Sequence, residues 1–246
     1  MGENRYTMKD WLSIIKSIES IKDVYTRASD IISMCIAKNV RYMPLLFLKK
    51  RMDDKLVIVL DVGSGPGDSA YTAWRTFGKN NTYVIALDPS SDLIKVAMNK
   101  QLKGCLLCEA VEGVAEHLPF RTSSIDVVQA FFSARDFYKL NRALLSMIAV
   151  SRKWLVIGDI FSPSNSIKRL ILLLWVCKFV PLIVETASPG HGRYYKSLCN
   201  TLNGWMGMEE LSSVVRVIAK YLNKPINSFS KKNYIMDSLG YIIFEF

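Results

Sequence analysis

The chain has 246 residues, half of them hydrophobic and 22% charged, with 13 glycines and 8 prolines. This composition excludes a disordered, collagen-like or low-complexity chain and suits one large globular domain, since domains are near ~150 residues. Lys and Arg outnumber Asp and Glu by 32 to 22, and the net charge of +10 favours polyanions, acidic membrane surfaces or anionic substrates without choosing among them.

The first two predicted elements are helices over 7–21 and 23–37, where apolar residues recur at helical spacing. The predicted strands that follow cover 56–62, 83–87, 105–111, 125–131, 154–160, 233–236 and 240–246. The predicted helices among them cover 71–77, 91–100, 140–150 and 208–221. Strands that alternate with helices indicate a parallel sheet with helices on both faces. The last strand follows another without a helix between them, so it is predicted to be antiparallel.

The longest apolar run, 170–184, has 15 residues and is interrupted by Lys178 and Pro181. A membrane-spanning helix needs ~20 apolar residues, so this run is not predicted to span a bilayer. It is predicted to be a buried helix. The alternative is an apolar lid or a contact with the membrane surface, where Lys168 and Arg169 would meet lipid headgroups.

The chain has five cysteines, an odd number. Its N-terminal residues are polar and do not form the apolar core of a secretory signal, so reduced thiols in a cytoplasmic protein are expected. Cys105 and Cys108 have the spacing of half a zinc site, but no second pair or histidine cluster accompanies them. They are predicted to lie in a strand, and no metal site is predicted.

A glycine-rich turn follows the first predicted strand and opens a helix. It contains Asp61, Gly63, Ser64, Gly65 and Gly67. Glycines there permit a tight turn and the close approach of a ligand, and the helix N-terminus offers free N–H groups. Asp88 ends the next strand, where it is placed to accept hydrogen bonds from both hydroxyls of a ribose. The alternative for Asp88 is a cap on the helix that begins near residue 91.

The turn D-V-G-S-G-P-G-D at 61–68 resembles that of class I S-adenosylmethionine-dependent methyltransferases. The segment G-V-A-E-H-L-P-F at 113–120 is similar to their adenine segment. Two other segments resemble the ubiquinone/menaquinone biosynthesis C-methyltransferases. A-F-F-S-A-R-D at 130–136 is similar to their Phe-Gly-Leu-Arg-Asn, and D-I-F-S-P at 159–163 is similar to their Glu-Phe-Ser-x-Pro. The resemblance runs from about residue 25 to the C-terminus.

This resemblance implies an α/β class I methyltransferase fold, a Rossmann-like seven-stranded sheet with six parallel strands, one antiparallel strand and helices on both faces. It implies N-terminal helices over 1–52 that cover the site, and a methyltransferase domain over 53–246 with a lid inserted at about 162–207. It also implies S-adenosylmethionine as the cofactor. The residues expected to bind the cofactor are Asp61, Gly63, Ser64, Gly65, Gly67, Asp88, Val114, Ala115 and Phe131.

Three residues are candidates for catalysis. Arg135, at the family's arginine position just after the fourth strand, is expected to stabilise a developing phenolate. The alternative is a surface ion pair with Asp136 or Asp159. His191 lies in a loop rich in Gly and Pro over the expected substrate mouth, and Tyr195 follows it. Asp136 replaces the family's Asn, so the chain is expected to be a divergent member.

The resemblance therefore predicts C-methylation of a prenylated quinol, a lipophilic aromatic small molecule, in quinone biosynthesis. Contact with a membrane surface and a homodimer are left open, and the expected location is the cytoplasm or the inner face of the membrane. Nucleic acid is disfavoured as a partner, because the basic residues are spread along the chain. Two alternatives stay open: a methyltransferase acting on RNA or another small molecule, and a protein that binds the cofactor without chemistry.

Overall fold

In a computed structural model of the protein, which describes residues 6–52 and 56–246, seven strands form one sheet. They are β1 Val57–Val62, β2 Thr82–Asp88, β3 Cys108–Glu112, β4 Ile125–Phe131, β5 Ser151–Ile160, β6 Ser228–Asn233 and β7 Leu239–Glu245. The strand order is β3-β2-β1-β4-β5-β7-β6, and β7 is antiparallel to both of its neighbours. The other six strands run in one direction, which confirms the predicted sheet.

Within the described residues, ten α-helices surround the sheet. They are α1 Met8–Glu19, α2 Tyr25–Ile32, α3 Ile36–Lys49, α4 Asp68–Phe77, α5 Ser91–Val96, α6 Leu140–Val150, α7 Ser166–Leu174, α8 Val180–Ala187, α9 Lys196–Leu202 and α10 Met208–Tyr221. The helix α4 packs on β1 and β2, and α6 packs on β4 and β5. The helices predicted over 140–150 and 208–221 are confirmed as α6 and α10.

The helix predicted over 23–37 is wrong beyond Ile32. Met34 and Cys35 have φ angles of 50° and 65°, in the left-handed region, and a separate helix begins at Ile36. Apolar residues continue at helical spacing on both sides of this corner, so periodicity alone does not show it. The third helix, α3, packs against α4 and against strands β5 and β7 of the sheet.

Two predicted strands are shifted along the chain. The strand predicted from residue 105 begins at Cys108, because the preceding residues form a turn in which Leu106 is 97% exposed. The strand predicted over 233–236 lies earlier, as β6. Its sequence, S-F-S-K-K-N, is polar because β6 is an edge strand with a single neighbour, so a pattern of apolar runs does not reveal it.

The apolar run forms a longer helix than predicted. Together α7, a π-helical turn at Trp175–Phe179 and α8 make one helix over Ser166–Ala187, with 22 residues and a mean hydropathy of 2.1. By length and composition it is the one helix among the described residues that is long enough to cross a membrane. Only 17% of its most apolar stretch of 18 residues is buried, so the prediction of a buried helix is wrong. Pro181 does not end the helix, because it lies at the first turn after the π-helical turn.

Four of the five cysteines form disulfides, which corrects the expectation of reduced thiols. Cys105 pairs with Cys108 across the turn before β3. Cys177, in the π-helical turn, pairs with Cys199 in α9, and their Cα atoms lie 4.9 Å apart, a separation that a disulfide bridges. Spacing along the chain does not reveal that the fold brings these two segments together. Cys35 is free and exposed.

Candidate functional site

The glycine-rich turn after β1 closes tightly against the neighbouring strands. The backbone N–H groups of Gly63 and Ser64 both donate to the Leu87 carbonyl, at 2.8 and 3.0 Å. Gly63 has a φ of 69°, and a Cβ atom there would lie 2.5 Å from the Cβ of Ser133. A side chain at position 63 is therefore excluded both by the backbone conformation and by space. At Gly65 the φ is 53° and no atom lies within 4 Å of the Cβ position, which leaves the backbone open to a ligand.

Asp88 lies at the end of β2 and faces this turn. Its carboxylate accepts hydrogen bonds from the N–H of Gly65 at 2.8 Å and from the N–H of Ser90 at 2.9 Å. Burial raises the pKa of Asp88 to about 6, while the two N–H donors lower it and Glu19 raises it further. The helix cap is Ser90, whose side chain accepts from the Leu93 N–H. Each carboxylate oxygen of Asp88 has one further acceptor position available for a ligand.

A cavity opens beside the turn, and it separates the predicted cofactor contacts into two groups. Those that line it are Gly63, Gly65, Asp88, Val114 and Ala115. Those that do not line it are Asp61, Ser64, Gly67 and Phe131. Sequence reasoning missed the apolar wall that α1 supplies, namely Trp11, Ile14, Ile15 and Ile18. The amphipathic pattern of the first predicted helix was the signal that could have identified these residues.

Phe132, rather than Phe131, faces the cavity. Phe131 is buried in the core, where a Cβ atom at Gly158 would lie 2.5 Å from its ring. Phe132 follows with a φ of 60° and lines the cofactor cavity. The left-handed conformation at the end of β4 breaks the alternation of the strand, which is why the strand pattern alone could not show which ring faces the ligand.

A layer of buried polar groups lies beneath the turn. Asp61 is fully buried, and burial raises its pKa to about 7, although Gln129, Arg41 and the backbone of Ala70 lower it. Among the described residues, neither carboxylate oxygen of Asp61 nor the hydroxyl of Ser64 has a hydrogen-bond partner of ordinary geometry. Orphaned polar atoms at such depth are uncommon in folded proteins. Neither Asp61 nor Ser64 lines the cavity, so these atoms lie beneath the ligand site rather than at its wall.

A second cavity adjoins the first and is mainly apolar. The side chains that line both cavities are Ile14, Ile18, Tyr25, Phe132 and Asp136. The second cavity is further enclosed by Ile21, Ile32, Ile160, Leu198 and Leu239. Its charged and phenolic groups belong to Arg135, Asp136, Tyr25, Tyr194 and Tyr195. An apolar chamber with a few polar groups is the usual form of a site for a small molecule.

Arg135 lines the second cavity but is buried, with 7% of its surface exposed. Its guanidinium forms an ion pair with Asp159 and lies 3.5 Å from the carboxylate of Asp136. Burial lowers the pKa of Arg135, but the two carboxylates outweigh this effect and raise it overall. The predicted alternative of an ion pair is therefore present, although it lies inside the protein and at the cavity wall rather than on the surface.

The two other predicted catalytic residues occupy different environments. Tyr195 lines the second cavity, is 5% exposed, and its hydroxyl has no hydrogen-bond partner among the described residues. His191 lines neither cavity, and its Nδ1 lies 3.3 and 3.2 Å from the carbonyl oxygens of Ser188 and Pro189. The sequence analysis did not single out Tyr25. It lies at the junction of the two cavities, and burial raises its pKa.

The first helix is attached to both cavities by polar contacts. The indole N–H of Trp11 donates to the Asp136 carbonyl at 3.1 Å. At the other end of α1, Glu19 accepts from the hydroxyl of Ser90 at 2.6 Å. These bonds hold the apolar face of α1 over the turn and over the segment that follows β4. The helix thereby covers part of both cavities.

Comparisons with known proteins agree with this arrangement. Residues 59–153 match the family described as a methyltransferase domain. The ubiquinone/menaquinone biosynthesis C-methyltransferase UbiE of Bartonella quintana is 28% identical over 51% of this chain and 48% of its own length. The demethylmenaquinone methyltransferase of Renibacterium salmoninarum is 25% identical over 63% of this chain and 62% of its own. The chain thus matches between about half and two thirds of the length of these relatives.

A solved structure shows the same fold over nearly the whole chain. The magnesium protoporphyrin IX methyltransferase of Synechocystis PCC 6803, solved with bound SAH, aligns with a TM-score of 0.61 and 9% identity. The alignment covers 95% of this chain and 99% of that one. The predicted class is confirmed: this is a class I methyltransferase fold, in a chain that has diverged from its relatives. The predicted cofactor, S-adenosylmethionine, is confirmed with it.

Proposed function

We propose that the protein is a methyltransferase that transfers the methyl group of S-adenosylmethionine to a ring carbon of a prenylated quinol. The observation that carries the proposal is the shared wall of the two cavities. Tyr25, Phe132 and Asp136 line both of them, so a ring in the second cavity would lie beside a cofactor in the first. Holding two reactants in contact in this way is a large part of catalysis for such a transfer.

When bound, S-adenosylmethionine supplies an electrophilic methyl group attached to a sulfonium. Asp136 is the carboxylate at the junction of the two cavities, and in this proposal it accepts the phenolic proton of the quinol. Arg135 lies on the same wall and stabilises the negative charge that develops on the phenolic oxygen. The ring carbon then forms the new C–C bond as the S–CH₃ bond breaks, and loss of the proton from that carbon restores the aromatic ring. The products are the methylated quinol, S-adenosylhomocysteine and one net proton.

Tyr25 and Tyr195 position the substrate in this proposal. Both hydroxyls belong to residues that line the second cavity, and the hydroxyl of Tyr195 is buried without a partner among the described residues. A buried hydroxyl of that kind gains a hydrogen bond when a quinol oxygen enters. His191 lies outside both cavities and has no assigned role.

The chemistry of the second cavity favours a quinol over RNA. Isoleucine and leucine are the commonest residues of its wall, and its one arginine is held by two carboxylates. A nucleic-acid site would instead present several unpaired cations along a groove. The curated relatives with quinone-related names support the same choice.

The proposal is tested by the quinones of cells that lack this protein. Mass spectrometry should show a quinone lighter by one methyl group, and expression of the wild-type chain should restore the methylated form. An Asp88→Asn chain, expressed at the same level, should restore it poorly, because its cofactor site is impaired. An unchanged quinone profile in the deleted cells would contradict the proposed substrate.

A further inference from the structure

The helix over Ser166–Ala187 presents a continuous apolar face to solvent. Its exposed apolar side chains, with their exposed fractions, are Ile167 70%, Leu170 58%, Ile171 45%, Leu174 46%, Phe179 52% and Leu182 63%. Most of them recur at spacings of three and four, so they form one stripe along the helix. Exposed apolar residues are ordinary singly, whereas a contiguous stripe marks a surface that meets another apolar phase.

The opposite face of this helix is fastened to the protein. Val176, Val180 and Val184 are buried. The indole N–H of Trp175 donates to the Ile32 carbonyl at 3.1 Å, and the disulfide of Cys177 joins the helix to α9. The helix therefore lies along the body of the protein, and it could cross a bilayer only by giving up these contacts. The arrangement is that of an amphipathic helix that lies in the plane of a membrane surface.

A third cavity opens beside the apolar stripe. Twelve residues line it, among them Ile171, Leu172 and Trp175 of this helix. Four of these residues, Ile32, Ser33, Ile160 and Leu239, also line the second cavity. Ile171 belongs both to the wall of the third cavity and to the exposed stripe on the outside of the helix. Apolar surface thus continues from the outside of the helix towards the second cavity.

Charge at this surface points to an anionic lipid as the occupant. Arg169 and Lys178 are exposed on the same helix as the stripe, and the chain as a whole carries a net charge of +10. We propose that this helix docks on an anionic bilayer and that the third cavity receives an apolar chain directly from it. This inference deepens the proposed function, on which it rests, by giving the prenyl tail of the quinol a binding site and a route from the membrane.

Docking is tested with the full chain and vesicles of phosphatidylcholine with phosphatidylglycerol. The wild type should sediment with the vesicles, and a triple variant, Ile167→Ser, Leu170→Ser and Leu174→Ser, should lose roughly a hundredfold in partitioning. None of these three residues lines the third cavity. The matched control is a triple serine variant of Leu145, Val217 and Tyr221, which are exposed by 37%, 69% and 76% on other helices. It should bind as the wild type does.

The charge component is tested by Arg169→Glu and Lys178→Glu. Each should weaken binding to anionic vesicles about fivefold or more and leave binding to neutral vesicles nearly unchanged. Wild-type protein that stays in the supernatant, or a control triple that loses binding equally, would overturn the docking proposal. The wild type could instead fail to bind vesicles and form a dimer that the triple stripe variant converts to a monomer. That result would show that a second copy of the chain covers this face.

The cavity is tested with 9,10-dibromostearate, whose bromine atoms quench indole fluorescence only at near contact. Quenching should be present in the wild type and lost in Trp175→Phe, because Trp175 lines the third cavity. Trp74→Phe, which removes a tryptophan of α4, should keep the quenching. Quenching that persists in Trp175→Phe would overturn the assignment of the cavity. None of these three experiments contains S-adenosylmethionine or a quinol, so failure here is distinguishable from failure of the proposed methyl transfer.

Discussion

At the scale of single residues, the ionisation of Asp88 should make the affinity for the cofactor depend on pH. Burial raises its pKa to about 6, and a ribose hydroxyl can donate only while the carboxylate keeps its acceptor positions. Bound cofactor therefore favours the ionised form. Affinity for S-adenosylmethionine should be constant above pH about 7 and fall by up to about tenfold per pH unit below pH about 6. Calorimetric titration across this range measures the effect.

The control for this prediction is Asp88→Asn. It should bind S-adenosylmethionine at least about tenfold more weakly at neutral pH, since charge-assisted hydrogen bonds are lost. Its affinity should also lose the dependence on pH that Asp88 confers. Wild-type affinity in this variant would show that Asp88 serves only to hold the N–H groups of Gly65 and Ser90.

Arg135 differs from Asp88 in that its effect should appear in turnover. Arg135→Gln should lower the turnover number about 10²–10³-fold, the scale for one lost donor to a developing oxyanion. Arg135→Lys should recover part of the rate, because an ammonium keeps the charge but not the planar fork. Cofactor affinity should remain within a few-fold. Single-turnover kinetics with saturating cofactor make the measurement.

The buried ion pair with Asp159 makes Arg135→Ala a poor test, because an unpaired buried carboxylate costs about 3–5 kcal/mol. Circular dichroism should therefore show a folded protein before any rate is interpreted. If the Arg135→Gln variant is folded and has a normal single-turnover rate, then Arg135 serves only as a structural ion-pair partner of Asp159.

Residue-level prediction from the sequence succeeded where the backbone decides the outcome. The glycine turn and Asp88 lie at the ends of adjacent parallel strands, a position that order along the chain already indicates. It did not identify Phe132, Tyr25 and Asp136 as residues that line the cavities. These residues face the cavities because of a left-handed φ at Phe132 and because of how the N-terminal helices fold back over the sheet. Both features depend on contacts between distant parts of the chain.

At the scale of elements, the helix over Ser166–Ala187 shows the limit of hydropathy. An apolar run indicates a helix that avoids water, but the same composition fits a core helix and a helix at a membrane surface. Which of the two applies depends on what packs around the run. Here only one face is covered, by a cluster that includes Ile21, Val180, Val184 and Tyr195.

The disulfide between Cys177 and Cys199 should contribute measurably to stability. A bridge that spans 22 residues lowers the conformational entropy of the unfolded chain and thereby raises the free energy of unfolding by about 3 kcal/mol. Cys177→Ser should therefore lower the Tm by several degrees in oxidising buffer. The difference from the wild type should vanish when both are reduced. Differential scanning calorimetry measures it.

The matched control is Cys35→Ser, since Cys35 is free and exposed. It should leave the Tm unchanged in both buffers. Equal Tm values for wild type and Cys177→Ser in oxidising buffer would mean that these thiols stay reduced.

At the scale of the whole molecule, the buried carboxylates reduce stability at neutral pH. The pKa values of Asp61 and Asp88 are raised from 3.8 to about 7 and about 6, respectively. Their contribution is fully present below the unfolded-state pKa and is lost as pH rises through the folded-state values. The cofactor-free protein should therefore have a Tm several degrees higher at pH about 5 than at pH about 8.

Asp61→Asn tests the origin of this effect. The variant should be more stable than the wild type at pH about 8 and should change less with pH, because the buried charge is gone. A wild-type Tm that falls on going from pH about 8 to pH about 5 would show that other groups dominate. Thermal unfolding monitored by circular dichroism at the two pH values is sufficient.

The type of sheet was predictable from the order of strands and helices along the chain together with the family resemblance, whereas the order of the strands within the sheet was not predicted. Helices separate the successive strands from β1 to β5 except between β3 and β4, where a loop makes the connection. The last strand, which directly follows β6 without an α-helix, is the antiparallel one. The corner at Met34 and Cys35, the polar edge strand and the Cys177–Cys199 bridge were not predictable from periodicity. Each depends on tertiary contacts that a local apolar pattern does not encode.

The central claim is that a cofactor and a quinol ring meet at Tyr25, Phe132 and Asp136. The most direct measurement incubates purified protein with methyl-labelled S-adenosylmethionine and a short-tailed demethylated quinol under reducing conditions, followed by mass spectrometry of the product. The account predicts one labelled methyl group on a ring carbon for each S-adenosylhomocysteine formed. Cofactor binding without transfer to the quinol, or a methyl group found on oxygen, would contradict it.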